Sequence, residues 1–288
     1  VIRGPNQLAR QISLQEGAHG TFFLYNAYFN ETLMKHNQKR RRPMQVAFIM
    51  DVMEKILLEV DTSISIMMEA EKRGHRILYV EPDDLVYREK TVFAEAREVS
   101  VSRTNGFRIL NRRLIDLKTC DVVFNRKEPP FDLSYLYLTQ LLELLEPDVF
   151  VINSPHGVRK ANEKLYILGF DQWIPPTIVS NDPDRIERFQ HDKRMDLILK
   201  PLDEKGGKGI KLLPWKAKKR GEILSQVTRG GTKWIMAQKF LKRNITHGDK
   251  RILLLNGNAI GWFGKIPKRG EFRANLSLGG KYMRTMLT

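Results

Sequence analysis

The chain has 288 residues, of which 42% are hydrophobic and 28% are charged, a composition typical of globular proteins. This length is sufficient for two domains. The formal net charge of +16 would suit nucleic acid or a small anionic substrate. No apolar run reaches the length of a membrane span, and the single cysteine, Cys120, excludes an internal disulfide framework and a cysteine-based zinc cluster. We therefore expect a cytoplasmic protein without a membrane partner.

Composition changes along the chain predict where the folded part begins. Residues 1–43 show no sustained periodicity and end in a basic run before Pro43. We expect them to form a basic extension or linker, followed by an N-terminal α/β domain over residues 44–155 and a second domain over residues 156–288. The ends of the sequence, at Val1 and Thr288, lead us to expect a fragment of a longer protein.

The first domain reads as an open parallel sheet. An apolar run at 45–50, a helical pattern at 64–70 and a second apolar run at 76–80 predict a strand, a helix and a parallel strand. A less regular region then leads to a strand at 121–125, and Arg126 follows it directly. Ligands of open α/β sheets gather beyond the carboxyl ends of the strands, so Arg126 could hold a carboxylate there. A surface arginine paired with a nearby acid is the alternative.

The second domain is predicted to alternate short strands and helices. One helix should begin near Asn153 and end near Gly169. The remaining expected elements are a strand at 174–179, a short helix from Asp182, a basic helix near 217–225, a strand at 234–238, a hairpin turning at 256–258 and an irregular, mobile loop at 266–280.

The stretch from Asp196 to Leu213 is the most informative part of the sequence. Its first apolar run closes at Lys200 and Pro201, and a cluster of glycines and lysines separates it from a second apolar run. Two strands joined by such a loop can fold over a polyanion, because glycines let backbone N–H groups approach phosphate oxygens. The spacing fits neither the Walker A loop nor Gly-x-Gly-x-x-Gly, since Leu212 occupies the third glycine position. An ordinary hairpin with a solvated basic tip is the alternative.

Several motifs in series resemble those of the ATP-grasp ligases, and more narrowly the bacterial-type glutathione synthetases. The resemblance runs from about Met44 to Gly280 and does not cover residues 1–43. Its motifs are Phe48-Ile49-Met50-Asp51, Asn125-Arg126-Lys127-Glu128-Pro129-Pro130-Phe131-Asp132, Asn162-Glu163-Lys164-Leu165, Ile198-Leu199-Lys200-Pro201-Leu202-Asp203, Met236-Ala237-Gln238, Gly248-Asp249-Lys250-Arg251, and Ile266-Pro267 with Arg273-Ala274-Asn275-Leu276 and Gly279-Gly280.

The resemblance implies a fold and a reaction. The fold would be an N-terminal pre-ATP-grasp domain followed by an ATP-grasp domain that is incomplete at its C-terminus. The reaction would join γ-glutamylcysteine to glycine with ATP, through an acyl phosphate that the glycine amine attacks. Phosphorylation gives the carboxylate a leaving group, and fixed cations with Mg²⁺ stabilise the accumulating negative charge.

The resemblance also implies roles for individual residues. Lys164 and Lys200 would contact the phosphates beneath a loop formed by Gly206 and Gly207, whereas solvated lysines are the alternative. A strand edge at 238–241 would bind adenine through backbone groups, and Asp249 would lie near the ribose or a polar group of the substrate. The implied nucleotide-binding set is Lys164, Lys200, Gly206, Gly207, Gln238, Lys239, Phe240, Leu241 and Asp249.

A second implied set concerns the dipeptide and catalysis. Arg126, Arg251 and Asn275 are candidates for binding the dipeptide, since a guanidinium fork suits a carboxylate. Lys265 and Arg273 bracket a predicted lid loop whose closure would keep water from the acyl phosphate, and with Arg251 they form the implied catalytic set.

The metal is the point where the sequence departs from the family pattern. The family's acidic Mg²⁺ ligands would lie beyond Thr288, and residues 281–288 contain no Asp or Glu, so we expect impaired activity. Two other functions stay open: another ATP-grasp carboxylate–amine ligase, or a non-catalytic remnant that binds nucleotide or nucleic acid. Small-molecule substrates are the expected partners and nucleic acid is not. A homo-oligomer is an open alternative.

Overall fold

The structure is a computed structural model that describes residues 42–59, 61–255 and 257–286. These residues form two compact units. The predicted extension at 1–43 lies almost wholly outside the described residues. No helix in the described part of the chain is long and apolar enough to cross a membrane.

The first unit comprises described residues 42–128, 136–157 and 252–261. Its sheet has the strand order β3-β4-β2-β1-β6-β7, with β5 paired to β4. The strands are β1 (Gln45–Ile49), β2 (Arg76–Val80), β3 (Leu85–Arg88), β4 (Thr91–Ser102), β5 (Gly106–Asp116), β6 (Val122–Asn125) and β7 (Phe150–Ile152). The helices are α1 (Thr62–Lys72) and α2 (Leu133–Glu143).

The parallel centre of this sheet confirms the predicted α/β class. Strand β1 pairs in parallel with β2 and β6, and β6 pairs in parallel with β7. A nearly continuous apolar run suits a strand that is covered on both faces, and Phe48 is fully buried. Helix α1 begins after Asp61, whose carboxylate accepts hydrogen bonds from the backbone N–H groups of Ser63 and Ile64.

The prediction of a less regular region before residue 121 is wrong, because this region contains the three antiparallel strands β3, β4 and β5. Strand β4 pairs antiparallel with β2, β3 and β5. Its buried residues, such as Val92, Ala94 and Ala96, alternate with polar or half-exposed ones, which is the pattern of a half-buried strand that the prediction overlooked. Strand β5 buries only Ile115, so its sequence carries little apolar pattern. Pairing with β4 determines its extended form, which local propensity does not reveal.

The second unit comprises described residues 129–135, 158–251 and 262–286. One sheet has the order β10-β9-β11-β8, and a three-stranded sheet has the order β12-β13-β14. The strands are β8 (Thr177–Ser180), β9 (Leu197–Pro201), β10 (Lys211–Leu213), β11 (Ile235–Lys239), β12 (Asp249–Leu255, which ends in the first unit), β13 (Asn258–Ile266, which begins in the first unit) and β14 (Lys281–Met283). The helices are α3 (Pro155–Lys160, which begins in the first unit), α4 (Pro183–Lys193), α5 (Arg220–Thr228) and α6 (Arg243–His247).

The two faces of strand β9 differ, because one packs in the core and the other carries Lys200. Leu197 and Leu199 are fully buried in a core with Ile186, Leu224 and Ile235. Because side chains alternate along a strand, Ile198 and Lys200 face the other side of the sheet. Strand β10 returns antiparallel to β9, which confirms the predicted pair of strands around a glycine-rich loop.

Two helix boundaries differ from the prediction. The helix expected from Asn153 to Gly169 is instead α3 followed by a separate 3-10 helix at Tyr166–Trp173. Between them the side chain of Asn162 accepts hydrogen bonds from the N–H groups of Lys164 and Leu165, a local turn that competes with helix. The basic helix begins at Arg220 and not near residue 217.

Candidate functional site

Lys200 is fixed by a line of polar side chains on one face of the second unit's sheet. Its ammonium donates a 2.6 Å hydrogen bond to Oε1 of Gln238. The Nε2 of Gln238 donates to the hydroxyl of Thr177 at 2.8 Å, and this hydroxyl donates to the Pro175 carbonyl at 2.6 Å. Gln238 lies opposite Thr177 and Ile198 in the antiparallel register, so Lys200 is its diagonal neighbour. Gln238 is only 3% exposed, and both ends of its amide are paired.

The environment of Lys200 favours an anion. Burial lowers the pKa of the Lys200 ammonium, and the neighbouring charge of Lys164 lowers this pKa further. Lys164 also contacts the carbonyl oxygen of Glu204, four positions after Lys200, so both lysines lie beside the start of the glycine-rich loop. Among the described residues, Lys200 takes part in no ion pair, and its hydrogen-bond acceptor is the neutral amide of Gln238. A polyanion would supply the negative charge that both ammonium groups favour.

Lys164 is tied to the beginning of the glycine-rich loop. Its ammonium donates to the carbonyl oxygen of Glu204 at 2.6 Å and to the carboxylate of Glu163 at 2.5 Å. The Asn162 side chain donates to the carbonyl oxygen of Leu202 at 3.4 Å. The turn at 162–164 therefore lies against residues 202–204, which lead into the loop. The role of Asn162 is one that sequence reasoning missed, although an asparagine before a helix is a known turn signal.

The glycine-rich loop is contacted by the segment predicted to be a lid. The backbone φ is +63° at Gly206 and +81° at Gly207, values that favour glycine. Arg273 donates from Nη1 to the Gly207 carbonyl oxygen at 3.0 Å. A Cβ atom added at Gly207 would lie 2.5 Å from Oδ1 of Asn275. The structure thus brings Gly207, Arg273 and Asn275 together.

Glu271, which sequence reasoning missed entirely, holds Arg273. Its carboxylate accepts hydrogen bonds from Nε of Arg273 at 3.0 Å and from Nη2 at 2.8 Å. Hydrogen bonds from the Arg273 side chain are the main cause that lowers the pKa of Glu271 to about 2. A Glu and an Arg two positions apart in a loop give no sequence signal, since that spacing marks no regular contact.

The other predicted residues of this unit, Asp249, Arg251 and Lys265, lie on strands β12 and β13 of the three-stranded sheet. Lys265 is 7% exposed and lies 3.4 Å from a carboxylate oxygen of Asp249. Gly248 closely approaches the backbone of Lys265, because an added Cβ would lie 2.1 Å from its carbonyl oxygen. Arg251 is exposed on β12. Asp249 and Lys265 are thus brought together, and their functional roles stay predictions.

The predicted adenine-binding segment lies at the end of β11. Gln238 sits between β8 and β9 in the sheet, not at an edge, and the N–H of Lys239 donates to the Pro176 carbonyl. The N–H of Phe240 donates to the Asp196 carbonyl, and Leu241 is 43% exposed. The amides of Lys239 and Phe240 are therefore already used, so an adenine contact here would need other backbone groups.

Arg126 belongs to the first unit. Its Nε donates to the hydroxyl of Ser63, in the first turn of α1, at 2.9 Å. The preceding residue, Asn125, is 1% exposed, and its side-chain nitrogen and oxygen find no hydrogen-bond partner among the residues that the structure describes. Arg126 follows β6 at the carboxyl end of the parallel strands, as predicted, and its role in binding a carboxylate stays a prediction.

A divalent metal would need oxygen ligands that the described residues do not provide as a group. No cluster of three or more His, Cys, Asp or Glu side chains in the described part of the chain could hold a metal ion. Three carboxylates beside the candidate site residues are already paired, Glu163 with Lys164, Asp249 with Lys265 and Glu271 with Arg273. The site as described therefore suits binding of a polyphosphate by ammonium groups and loop N–H groups, without an acidic metal-binding cluster.

Comparison with known proteins gives two adjacent family matches. The family model for the N-terminal domain of prokaryotic glutathione synthetase matches residues 44–159, and that for its ATP-grasp domain matches residues 163–288. The chain is 39% identical over 244 residues to the glutathione synthetase of Nitrosomonas europaea, covering 82% of this chain and 76% of the relative. It is 37% identical over 257 residues to that of Synechocystis sp., covering 85% and 80%.

A third relative and two solved structures agree with these matches. The glutathione synthetase of Buchnera aphidicola subsp. Schizaphis graminum is 35% identical over 247 residues, covering 84% of this chain and 77% of the relative. D-cycloserine synthetase DcsG has a TM-score of 0.58 at 12% identity, covering 84% of this chain and 75% of that structure. A RimK domain ATP-grasp protein from Sphaerobacter thermophilus has a TM-score of 0.50 at 15% identity, covering 76% and 72%. These structural similarities support the fold alone.

Replacing Gly207 with alanine tests the contact between the glycine-rich loop and Asn275. We expect the free energy of unfolding to fall by about 1–3 kcal/mol, because the new Cβ combines a positive φ with a collision. Gly206→Ala has a positive φ in open space and should cost about 1–2 kcal/mol. Gly169→Ala has neither problem and should stay within about 0.5 kcal/mol of the parent. Urea unfolding measures all three, and a Gly207 variant that loses no more stability than the Gly206 variant would contradict the contact.

Proposed function

The chain belongs to the prokaryotic glutathione synthetase family, and we propose that it catalyses the ATP-dependent ligation of γ-glutamylcysteine with glycine to form glutathione. The observation that carries this proposal is the pair of consecutive family matches over residues 44–159 and 163–288. The paired lysines at the glycine-rich loop support it, because phosphoryl transfer from ATP needs fixed positive charge at that place.

The proposed reaction has two steps that balance without a redox partner. The γ-phosphoryl group of ATP moves to the cysteinyl carboxylate, ADP leaves, and an acyl phosphate forms. The glycine amine then attacks the acyl carbon, loses a proton and displaces phosphate. Lys164 and Lys200 would bind the phosphates, and the loop of Gly206 and Gly207 would cover them. Arg273 would lie over that loop and help to exclude water.

Other residues would bind the remaining parts of the substrates. The 238–241 segment would contact adenine, and Asp249 would contact the ribose or a polar substrate group. Arg126, Arg251 and Asn275 would bind the dipeptide, and Lys265 would act beside Asp249 at one end of the lid segment. The partners would be these small molecules, in the cytoplasm. Family membership implies Mg²⁺, which would neutralise phosphate charge when bound, but the described residues contain no cluster of acidic, His or Cys side chains that fits it.

Lys200→Ala tests the phosphate-binding role. We expect kcat/KM for ATP to fall at least about 100-fold, because the variant removes a preorganised charge from the phosphates. ADP release in a coupled assay with γ-glutamylcysteine and glycine measures turnover, and calorimetry measures ATP binding separately. Lys211→Ala removes a lysine from β10, where it donates to Gln226, and should stay within about twofold of the parent. Equal rates for the two variants would refute the role assigned to Lys200.

Arg126→Ala tests the site predicted in the first unit. The variant should raise the KM for γ-glutamylcysteine about 10- to 100-fold and leave the KM for ATP nearly unchanged, since a charged hydrogen bond to the dipeptide is lost. Arg108→Ala, on strand β5, is the matched control and should alter neither constant. A change confined to the KM for ATP would count against dipeptide binding by Arg126.

A further inference from the structure

Glu271 makes an unusually complete set of contacts for a loop carboxylate. One oxygen accepts from Nε of Arg273 and the other from Nη2, at 3.0 and 2.8 Å, which is the bidentate geometry of a strong ion pair. The first oxygen also accepts from the backbone N–H groups of Phe272 and Arg273, at 2.9 and 3.1 Å. With a pKa of about 2, this carboxylate stays ionised throughout any practical assay range.

These contacts fix the direction of the Arg273 guanidinium. An arginine side chain is long and loses much of its rotamer entropy when it is held in one geometry. Glu271 takes Nε and Nη2, so Nη1 points away from the carboxylate and donates to the Gly207 carbonyl oxygen at 3.0 Å. The carboxylate therefore sets which edge of the guanidinium meets the glycine-rich loop.

An aromatic contact anchors the same short segment. The ring of Phe272 lies edge-to-face with that of Phe240, with centroids 5.9 Å apart, and the Arg273 guanidinium carbon lies 5.5 Å from the Phe272 ring centre. Phe240 follows β11 directly, so the segment is attached both to the end of this strand and to the loop. Glu271 adds the charged contact between these two attachments.

We propose that Glu271 is a positioning residue, which acts through Arg273 by holding its guanidinium over the glycine-rich loop in the orientation that phosphoryl transfer uses. This inference rests on the proposed function, since Arg273 is the residue that would act near the reacting groups. Glu271 itself need not touch a substrate. Because Glu271 already orders the Arg273 side chain, this ordering does not have to occur in each catalytic cycle.

A simple charge effect makes the opposite prediction. The segment 266–280 contains Lys268, Arg269 and Arg273, and Glu271 is its one acidic residue. Glu271→Gln makes the segment more positive, so bulk electrostatics alone would strengthen ATP binding and leave kcat unchanged. Positioning predicts instead a loss of kcat with little change in KM. The charge effect thus predicts tighter ATP binding with an unchanged kcat, whereas positioning predicts a lower kcat with nearly unchanged KM values.

The kinetic test is a double-mutant cycle with Glu271→Gln, Arg273→Ala and the double variant. We expect Glu271→Gln to lower kcat about 10- to 100-fold and to change the KM values less than about threefold. The double variant should match Arg273→Ala alone, because Glu271 has no role without its partner. Glu271→Asp should recover part of the lost kcat. A normal kcat for Glu271→Gln, or an equal loss in the Arg273→Ala background, would overturn the proposal.

A matched ion pair in the first unit supplies the control. Glu98 binds Arg76 in the same bidentate manner, at 3.1 and 2.7 Å, and its side chain is 19% exposed against 22% for Glu271. Glu98→Gln should leave kcat within about twofold of the parent. A loss equal to that of Glu271→Gln would mean that any broken surface pair lowers activity, and would overturn the specific role of Glu271.

Tryptic cleavage after Arg273 provides a readout that needs no turnover. Glu271→Gln should increase the cleavage rate at Arg273 about tenfold or more, because the side chain is released for the protease. The rate at Arg76 should not change in that variant. If the parent chain releases no ADP with its substrates, the proposed function fails. If cleavage at Arg273 is unchanged, the positioning role fails.

Discussion

The unfavourable environment of the Lys200 ammonium, which is largely buried and repelled by the charge of Lys164, is the constraint on which the site depends. Two like charges repel, and burial of Lys200 makes the charged form still less favourable. Gln238 holds Lys200 with a neutral carbonyl oxygen, and no carboxylate in the described part of the chain pairs with this ammonium. A glutamate in the same position would form an ion pair and reduce the attraction for phosphate. The neutral amide therefore fixes geometry while the positive charge stays available for a ligand.

The glycine-rich loop lies between Lys164 and the segment predicted as a lid, and it contacts both. Lys164 contacts the loop at Glu204, and Arg273 contacts it at Gly207. Both contacts use carbonyl oxygens of the loop, so they fix its backbone without competing for its N–H groups. Those N–H groups are the donors that bind phosphate in glycine-rich loops. Together the contacts describe a loop held from both sides.

The sequence predicted the parts of the site that depend on local pattern. Alternation along β9 separates Leu197 and Leu199 from Lys200, and the glycine cluster marks the loop after it. The parallel centre of the first sheet also follows from its apolar runs. Strand β5 was missed because its extended form depends on pairing with β4, whereas the alternation of apolar residues along β4 is a local signal that the prediction overlooked. The helix expected through Asn162 failed because one side chain forms a competing turn.

Contacts between distant residues could not be read from the sequence. Gln238 reaches Lys200 across 38 positions and Thr177 across 61, and both contacts follow from the register of β8, β9 and β11. Arg273 reaches Gly207 across 66 positions. Glu271 gains its importance only through that contact. A single sequence contains the residue types but not the strand register that joins them.

The most direct test of the central claim is a crystal structure of the chain with a non-hydrolysable ATP analogue. Phosphate oxygens should lie within about 3 Å of Nζ of both Lys164 and Lys200, beneath Gly206 and Gly207. Lys200 should keep its hydrogen bond to Gln238 in this complex. An analogue bound with its phosphates away from either ammonium group would contradict the account.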